Sequence, residues 1–477
     1  MAEPAEQTSW RESLGEMRSF LVIWVGQFVS ALGSGLTGFA IPVVVFQKTG
    51  SAEQFGLLLF AWILPALLLA PVAGTLVDRW DRRRVLIAAD TGSAVMTLLL
   101  AGLVLSGRFE LWYLFLATVL ASLISAFQEP AFTASIAALV PRRQYARAIG
   151  LVQLLGSTSA ILAPLIAGAL VVTIGLGGIM LIDAATFVAA IAGLLLVSIP
   201  RPPRIEADAP AAEGPAWRAA GRRFLHEAAQ GLHFLRARPG LFGMLAVFAL
   251  TNFWGGFLNP LLSPMVLSFA QPVKLATVQA AAGAGSVLGG LAIGIWGGPR
   301  RRIAAVAGSL TLGGLCTVVI GLRPSVPLIA GSVFVWALSS PMMTASSSAI
   351  WMSKTPQALL GRVFAVRRMV AGSMMPLAVL MAGPLAERVF EPLLVPGGAL
   401  AASVGAGIGV GKGRGIALMF VLIGGLMALT GLAAWVVPSI RHVERDVPDA
   451  PHAPHAPPTI PAAPQPAGEE LEVAATG

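Results

Sequence analysis

The sequence predicts an all-α membrane protein whose twelve transmembrane helices form two pseudo-symmetric six-helix bundles. Two observations carry this prediction: 56% of the residues are hydrophobic and 12% are charged, and the chain contains twelve long apolar runs. Soluble domains carry about 25% charged residues. An apolar run of about 20 residues can cross a bilayer as a helix. A lipid bilayer is therefore one predicted partner of the chain.

The predicted spans divide into two groups of six. They cover residues 20–46, 53–77, 85–106, 111–138, 148–173, 176–199, 240–267, 275–296, 303–322, 326–350, 369–387 and 415–437. We expect an N-terminal segment (1–19), a first bundle (20–199), a linker (200–239), a second bundle (240–437) and a C-terminal tail (438–477). The linker's second part mixes bases with large apolar residues, which predicts an amphipathic helix on the membrane face. The Pro/Ala-rich tail is typical of disorder.

A short internal repeat supports two related halves. Residues 130–138 and 341–349 match at five of nine positions at an offset of 211 residues. The two segments fall in spans 4 and 10, which are equivalent positions in the two groups. Parallel repeats of this kind occur in transporters whose halves are related by an axis along the membrane normal.

The basic residues predict the orientation of the chain. Twenty-five of the 32 lysines and arginines lie in segments on the same side as the N-terminus, and seven lie on the other side. Cytoplasmic loops carry the excess of basic residues, so we expect both termini in the cytoplasm and a bacterial-type plasma membrane. We expect no removable signal peptide. The net charge of +9 is spread over short loops, which argues against nucleic acid as a partner.

The loop between spans 2 and 3 carries the strongest motif. It contains Gly74, Asp78, Arg79, Asp81, Arg82 and Arg83. This loop resembles the signature loop of the major facilitator superfamily, which has glycine where Asp81 stands here. Gly74 would let helices approach closely. Asp78 would pair with arginines or with the N-terminus of a helix from the other half. The alternative is an ordinary basic cytoplasmic loop. The equivalent loop of the second half, 297–302, keeps the arginines and lacks the acid.

Span 5 carries a second motif. Gly156, Pro164 and Gly168 resemble the antiporter motif of the superfamily's exporters, with alanines at two of its glycine positions. The resemblance favours export, while ordinary packing of a helix rich in small residues remains open.

Further segments resemble a narrower branch. Residues 182–187, 360–364, 383–394 and 405–415 are similar to the enterobactin exporters and macrolide efflux proteins. The resemblance implies export of a bulky, moderately hydrophobic small molecule, by alternating access and with a proton gradient as the energy source. An importer of the same fold is the alternative, and a polytopic membrane enzyme is a less favoured one.

Three acidic residues fall well inside predicted spans: Asp90, Glu129 and Asp183. Because an acid in a membrane is costly, each is a functional candidate. Burial disfavours the charged form of a carboxyl group, so each can take up a proton and couple its gradient to transport. Glu129 is the first choice, because span 4 lines the cavity in this superfamily. The alternative for each is structural pairing, with the loop arginines in the case of Asp90.

The resemblance also implies a substrate cavity lined by spans 1, 4, 7 and 10. Polar and aromatic residues of three of these spans, 1, 7 and 10, are the candidates to contact substrate; each can instead bond another helix. They are Gln27, Ser30, Ser34, Thr37, Asn252, Trp254, Phe257, Asn259, Trp336, Ser339, Ser340 and Thr344.

Enzyme signatures are incomplete. Residues 226–230 lack the second histidine of a zinc-protease motif, and residues around Gly411 and Lys412 lack the serine or threonine of a phosphate-binding loop. We therefore expect a transporter without catalytic residues, cofactor or metal site. The expected partner is a small-molecule substrate, and a monomer is the expected state.

Overall fold

The computed structural model describes residues 16–77, 79–199, 226 and 229–450. The described residues form helices and no strand. The twelve long helices are α1 (Arg18–Thr49), α2 (Ala52–Val77), α3 (Arg82–Leu105), α4 (Leu111–Leu139), α5 (Tyr145–Thr173), α6 (Gly175–Leu196), α7 (Pro239–Leu267), α8 (Pro272–Trp296), α9 (Arg302–Leu322), α10 (Val326–Lys354), α11 (Gln357–Leu385) and α12 (Arg414–Val436). Short helical turns follow at Ala386–Phe390, Glu391–Leu393, Val404–Ile408, Pro438–Arg441 and Val443–Asp446.

All twelve helices are long and apolar enough to cross a membrane, which confirms the predicted spans. The largest correction concerns span 11, which begins at Gln357 rather than at residue 369. Arg367 therefore lies within the helix. Its guanidinium group lies 4.6 Å from the ring centroid of Phe248 and 5.2 Å from that of Trp351. Aromatic faces attract a cation, so the charge is accommodated where we expected a loop.

The helix contacts repeat between the halves. In the first half α1 packs on α5 and α6, α3 packs on α4 and α6, and α2 packs on α4. In the second half α7 packs on α11 and α12, α9 packs on α10 and α12, and α8 packs on α10. Each contact recurs six helices later, which confirms two pseudo-symmetric bundles. The repeated nine-residue segments lie in α4 and α10.

Glycines allow the closest helix contacts inside each bundle. A Cβ added at Gly26 of α1 would lie 2.8 Å from the carbonyl oxygen of Ala189 in α6. A Cβ added at Gly314 of α9 would lie 2.6 Å from the carbonyl oxygen of Gly424 in α12. Because neither position has room for a side chain, the backbones pack directly, as is common in membrane helices.

The two halves meet along a seam formed by the pairs α2–α11 and α5–α8. Gly383 of α11 packs against the backbone of Glu53 at the start of α2. The Glu53 carboxylate also pairs with Arg388 at 2.7 Å, and Glu387 accepts the Glu53 backbone N–H at 2.9 Å. The seam therefore closes the end of the molecule that carries the α1–α2 loop, which we call the seam end.

Two glycines near the opposite end have no close neighbour. Gly74 in α2 and Gly361 in α11 face open space, since an added Cβ at either would meet nothing within 4 Å. We expected Gly74 to permit a close helix contact, and this expectation is wrong for the conformation described. The close glycine contacts between α2 and α11 lie elsewhere along the pair, at Gly383 beside Glu53 and at Gly372 beside Leu67.

The end of the linker packs on the second bundle. Residues 229–236 are helical, Phe234 and Leu235 are buried, and a Cβ at Gly231 would lie 2.5 Å from the Arg362 carbonyl oxygen. This part of the linker is therefore attached to α11. Residues 200–225 and 227–228 of the linker and residues 451–477 of the tail lie outside the described residues, as do residues 1–15.

The start of the C-terminal tail supplies an acid to the second half. The Glu444 carboxylate accepts the backbone N–H groups of Arg302 at 3.3 Å and of Ile303 at 3.0 Å. The first N–H groups of a helix have no partner within the helix, so Glu444 caps α9. In the first half Asp81 of the loop caps α3. The tail thus compensates for the acid missing from the α8–α9 loop.

Loss of this cap gives a first testable prediction. In Glu444→Ala the amides at the start of α9 should exchange hydrogen about fivefold faster, because an N-cap contributes about 1 kcal/mol. Hydrogen-exchange mass spectrometry of the purified protein measures this in peptides that begin near Arg302. Asp446→Ala, which removes the exposed partner of Arg445, is the control and should leave α9 unchanged. Equal exchange in both variants would contradict the capping role.

Candidate functional site

The first bundle contains a cavity of about 810 Å³. All six of its helices contribute to the wall, which combines hydroxyl and amide groups with aromatic and aliphatic side chains. The lining includes Gln27, Ser30, Ser34, Thr37, Trp62, Ser93, Met96, Thr97, Gln128, Glu129, Phe132, Met180, Asp183 and Phe187. Among the described residues, the lining contains two carboxyl groups and no lysine, arginine or histidine. A cavity of this size and mixed polarity suits a drug-sized molecule.

Asp183 joins α6 to α1 at the cavity wall. Its carboxyl group accepts hydrogen bonds from the Thr37 hydroxyl at 2.7 Å and from the Ser34 hydroxyl at 3.2 Å. Asp183 is only 2% exposed, and Gly33 lets its carboxyl group lie close to the α1 backbone. The two hydroxyl donors satisfy this buried acid, so it stabilises the α1–α6 contact as well as lining the cavity.

Asp90 lies behind the wall rather than in it. The Gln27 amide of α1 donates to its Oδ2 atom at 2.9 Å, and the Gln128 amide of α4 donates to its Oδ1 atom at 2.7 Å. Asp90 itself is fully buried. The alternative role expected for Asp90 was pairing with the loop arginines. In the structure Asp90 instead bridges two glutamine amides that both face the cavity.

Glu129 differs from the other two acids. It lies on α4, lines the cavity and is exposed. Its side chain has no hydrogen bond or ion pair with any described residue. Of the three predicted acids, Glu129 alone lies in the cavity wall without a hydrogen-bond or ion-pair partner among the described residues.

The candidates of span 1 are brought together with the acids. Gln27, Ser30, Ser34 and Thr37 all line the cavity. The candidates of the second half do not line it. Phe257 is buried, the Trp254 indole approaches the Thr430 hydroxyl at 3.4 Å, and the Trp336 ring lies against Gly313.

The polar candidates of the second half bond their own helices. Asn252 donates to the carbonyl of Phe248, Asn259 to that of Gly255, Ser339 to that of Trp336, and Thr344 to that of Ser340. In this conformation these side chains are therefore local partners of the backbone, and contact with substrate stays a prediction for them.

The signature loop organises the first bundle. The Asp81 carboxylate accepts the Arg84 backbone N–H at 3.2 Å. Arg82 donates to the Ala134 carbonyl at 3.1 Å, and Arg83 donates to the Leu194 and Leu195 carbonyls at 2.8 Å. Arg83 thereby satisfies carbonyls at the C-terminal end of α6, where a positive charge is favourable. Arg79 is exposed, and Asp78, with its predicted latch, lies outside the described residues.

The span 5 motif lies at helix contacts. A Cβ at Gly168 would lie 2.6 Å from the Ala276 Cβ and 3.3 Å from the Pro272 carbonyl oxygen of α8. Pro164 lies inside α5, and Gly156 faces open space. Gly168 is therefore part of the seam between the halves.

Sequence reasoning missed the lining residues of α2 and α3 and the glutamine next to Glu129. Trp62, Ser93 and Thr97 lie on helices that the resemblance did not assign to the cavity. For Gln128 a signal was present: a buried acid such as Asp90 needs donors, and an amide inside an apolar span is a natural donor.

Comparison with known proteins decides the family. The sequence model of the Major Facilitator Superfamily matches residues 23–379. The chain belongs to the Major Facilitator Superfamily. It is a transporter and not an enzyme, and its substrate is a small molecule that it moves across a membrane.

Relatives of the chain include efflux proteins of the branch predicted from the sequence. Macrolide efflux protein A of Streptococcus pyogenes is 28% identical over 374 residues, which cover 78% of this chain and 90% of the relative. Macrolide efflux protein A of Enterococcus faecalis is 29% identical over 335 residues, covering 69% and 98%. Multidrug efflux pump Tap of Mycobacterium tuberculosis is 29% identical over 381 residues, covering 77% and 87%.

Solved structures agree with the fold of this Major Facilitator protein. A POT family transporter in complex with a thioalcohol-conjugated peptide superposes with a TM-score of 0.63 at 13% identity, covering 89% of this chain and 96% of the other. A bacterial homolog of the human lysosomal transporter Spinster, in an inward-facing and unoccupied conformation, gives 0.59 at 15% identity, covering 89% and 96%. At these identities the likeness concerns the fold alone.

Proposed function

We propose that this Major Facilitator protein exports a bulky, moderately hydrophobic small molecule across the plasma membrane in exchange for protons. The single observation that carries the proposal is the cavity of about 810 Å³ with two carboxyl groups in its wall. Trp62, Phe132 and Phe187 offer apolar surface for the body of the substrate. The names of the relatives, which are efflux proteins for macrolides and multiple drugs, support export of this kind of cargo.

Proton exchange is assigned to Glu129, with Asp183 as the second candidate. Glu129 is exposed to the cavity and has no partner among the described residues, so it can gain or lose a proton without breaking a contact. Asp183 has two hydroxyl partners, and a change of its charge would alter the α1–α6 contact. No cofactor is proposed beyond the proton gradient.

Alternating access is supported by the seam. The halves touch at the seam end, whereas Gly74 and Gly361 have no close neighbour. With the orientation predicted from the basic loops, this is an inward-facing state with both termini in the cytoplasm. The contacts of Gly383 and Gly168 would then break when the cavity opens to the outside. We propose that the monomer is the working unit, because each chain contains both halves.

Transport into liposomes tests the proposal. The purified protein is reconstituted in liposomes with an acidic lumen, and a macrolide, a siderophore and a cationic dye are added outside. Proton exchange drives substrate inward as protons leave, so at least one of the three should accumulate above the level of protein-free liposomes, which measure passive trapping of bases. A proton ionophore should abolish the difference.

Two results would overturn this function. In liposomes loaded with substrate, movement of the substrate out of the acidic lumen together with protons would identify an importer of the same fold. Absence of protein-dependent movement for all three compounds, with no thermal stabilisation of the protein by any of them, would remove the proposed substrate class.

A further inference from the structure

We propose that Asp90 is a positioning residue that turns two glutamine amides so that their carbonyl oxygens form a subsite for a protonated amine of the substrate. The proposal rests on the proposed function, since it concerns the substrate of the same cavity. The observation that motivates it is the bridge Gln27–Asp90–Gln128, which links α1, α3 and α4.

The carboxylate determines which end of each amide it holds. An ionised carboxylate only accepts hydrogen bonds, and of the two ends of an amide only the NH₂ group donates. Both oxygens of Asp90 are occupied, one by each glutamine, at 2.9 Å and 2.7 Å. In the ionised form of Asp90 both glutamines therefore turn their NH₂ groups toward the carboxylate, which assigns the amide nitrogen and oxygen at Gln27 and Gln128.

The carbonyl oxygens are left for a ligand. Gln27 and Gln128 line the cavity, whereas Asp90 is fully buried behind them. Neither carbonyl oxygen receives a hydrogen bond from a described residue, and neither is among the fully buried polar atoms without a partner. Both oxygens are therefore accessible from the cavity.

The surrounding charge selects a cation. Glu129 follows Gln128 on α4 and also lines the cavity, and no described residue of the lining is basic. Two carbonyl oxygens and one carboxylate accept hydrogen bonds and donate none. A protonated tertiary or secondary amine supplies the donor and the positive charge that such a subsite requires, while the apolar wall holds the rest of the molecule.

A matched pair of ligands tests the subsite. The first is a macrolide whose sugar carries a dimethylamino group, and the second is the same macrolide with one methyl group of that nitrogen replaced by acetyl, which removes the charge. Binding to the purified full-length protein is measured by thermal stabilisation at a pH where the amine is protonated. The amine should bind about tenfold or more tightly than the neutral analogue, as expected for one charge-assisted hydrogen bond.

The role of Asp90 is tested by Asp90→Asn. Asparagine has the same shape but offers one donor and one acceptor, so one of the glutamine amides reverses and presents NH₂ to the cavity. The amine preference should fall to about threefold or less, while the affinity for the neutral analogue stays the same. A purely structural role of Asp90 would weaken both ligands equally. Gln128→Leu, which removes one carbonyl oxygen and leaves Gln27 on Asp90, should reduce the preference as well.

Ser135→Ala is the control, because Ser135 is a buried hydroxyl on α4 that donates to the Ala131 carbonyl of its own helix and does not line the cavity. This variant should keep the amine preference of the wild type. Equal binding of the two macrolides to the wild type, or an unchanged preference in both Asp90→Asn and Gln128→Leu, would overturn the subsite and leave export intact. If neither macrolide binds or is transported, the proposed macrolide cargo fails together with the subsite.

Discussion

Glu129→Gln is expected to lose proton-driven transport in liposomes and to keep exchange of substrate for substrate when substrate is saturating. Glutamine has the size of glutamate and cannot carry the proton. Glu129 is exposed in the cavity wall and has no partner among the described residues, so the substitution breaks no contact of the fold. Accumulation driven by an acidic lumen should fall to the level of protein-free liposomes.

The two assays separate coupling from binding. Substrate exchange without a proton gradient requires the cavity and the conformational change but no net movement of protons. Glu110→Gln is the matched control, because Glu110 precedes the same helix at its other end and is exposed outside the cavity. Full proton-driven accumulation in Glu129→Gln, together with its loss in Asp183→Asn, would assign the proton to Asp183 instead.

Gly383→Leu is expected to hold the seam end open. A Cβ at Gly383 would collide with the Glu53 Cα atom and lie 2.9 Å from the Ala52 carbonyl oxygen. These are backbone atoms, which cannot move aside as a flexible side chain would. Overpacking costs about 1–3 kcal/mol, which shifts a two-state equilibrium by about 5- to 150-fold toward the state without the contact.

The ion pair at the same place should matter less. Arg388 pairs with Glu53, but its side chain is 70% exposed, and exposed ion pairs contribute about 0–1 kcal/mol. Arg388→Gln should therefore shift the same equilibrium only a few-fold. The order of the two effects is itself a prediction, because it states that the seam is closed by backbone packing more than by charge.

Distances between spin labels measure this equilibrium. Labels at Gln47→Cys and Val389→Cys, both exposed near the seam end, report the separation of the halves after the single cysteine, Cys316, is replaced by alanine. Gly383→Leu should populate a longer distance. Gly255→Leu, at a helical glycine facing open space, should leave the distribution unchanged. An unaltered short distance in a folded Gly383→Leu protein would contradict the role of the seam.

Much of the fold could be predicted because bilayer solvation is a local property of the chain. The bounds of most spans came within a few residues, since apolar length decides them. Span 11 was misplaced because Arg362, Arg367 and Arg368 lie inside a helix. A prediction from apolar runs excludes charged residues such as these from a membrane span. Only the aromatic rings around Arg367 explain how the helix accommodates one of them.

The site was only partly predictable. Glu129, Asp183 and the span 1 residues were found because polar groups in apolar spans are conspicuous. Their grouping was not foreseeable: Asp90 was placed near the loop arginines, yet its partners are Gln27 and Gln128. The candidates of the second half were chosen because the family resemblance implies a cavity lined by spans 7 and 10, and in the structure polar ones such as Asn252 and Ser339 bond their own backbones.

The sequence by itself therefore determined the twelve membrane-spanning helices, their division into two related groups of six, and the superfamily. It also predicts the orientation of the chain in the membrane. These features depend on composition, loop charge and short motifs, which are read along the chain. The tertiary structure alone decided which polar groups share the cavity, where the acid for α9 comes from and at which end the halves touch. These features depend on the rotation of each helix about its axis, and helices that are apolar around most of their circumference carry little sign of that rotation in their sequence.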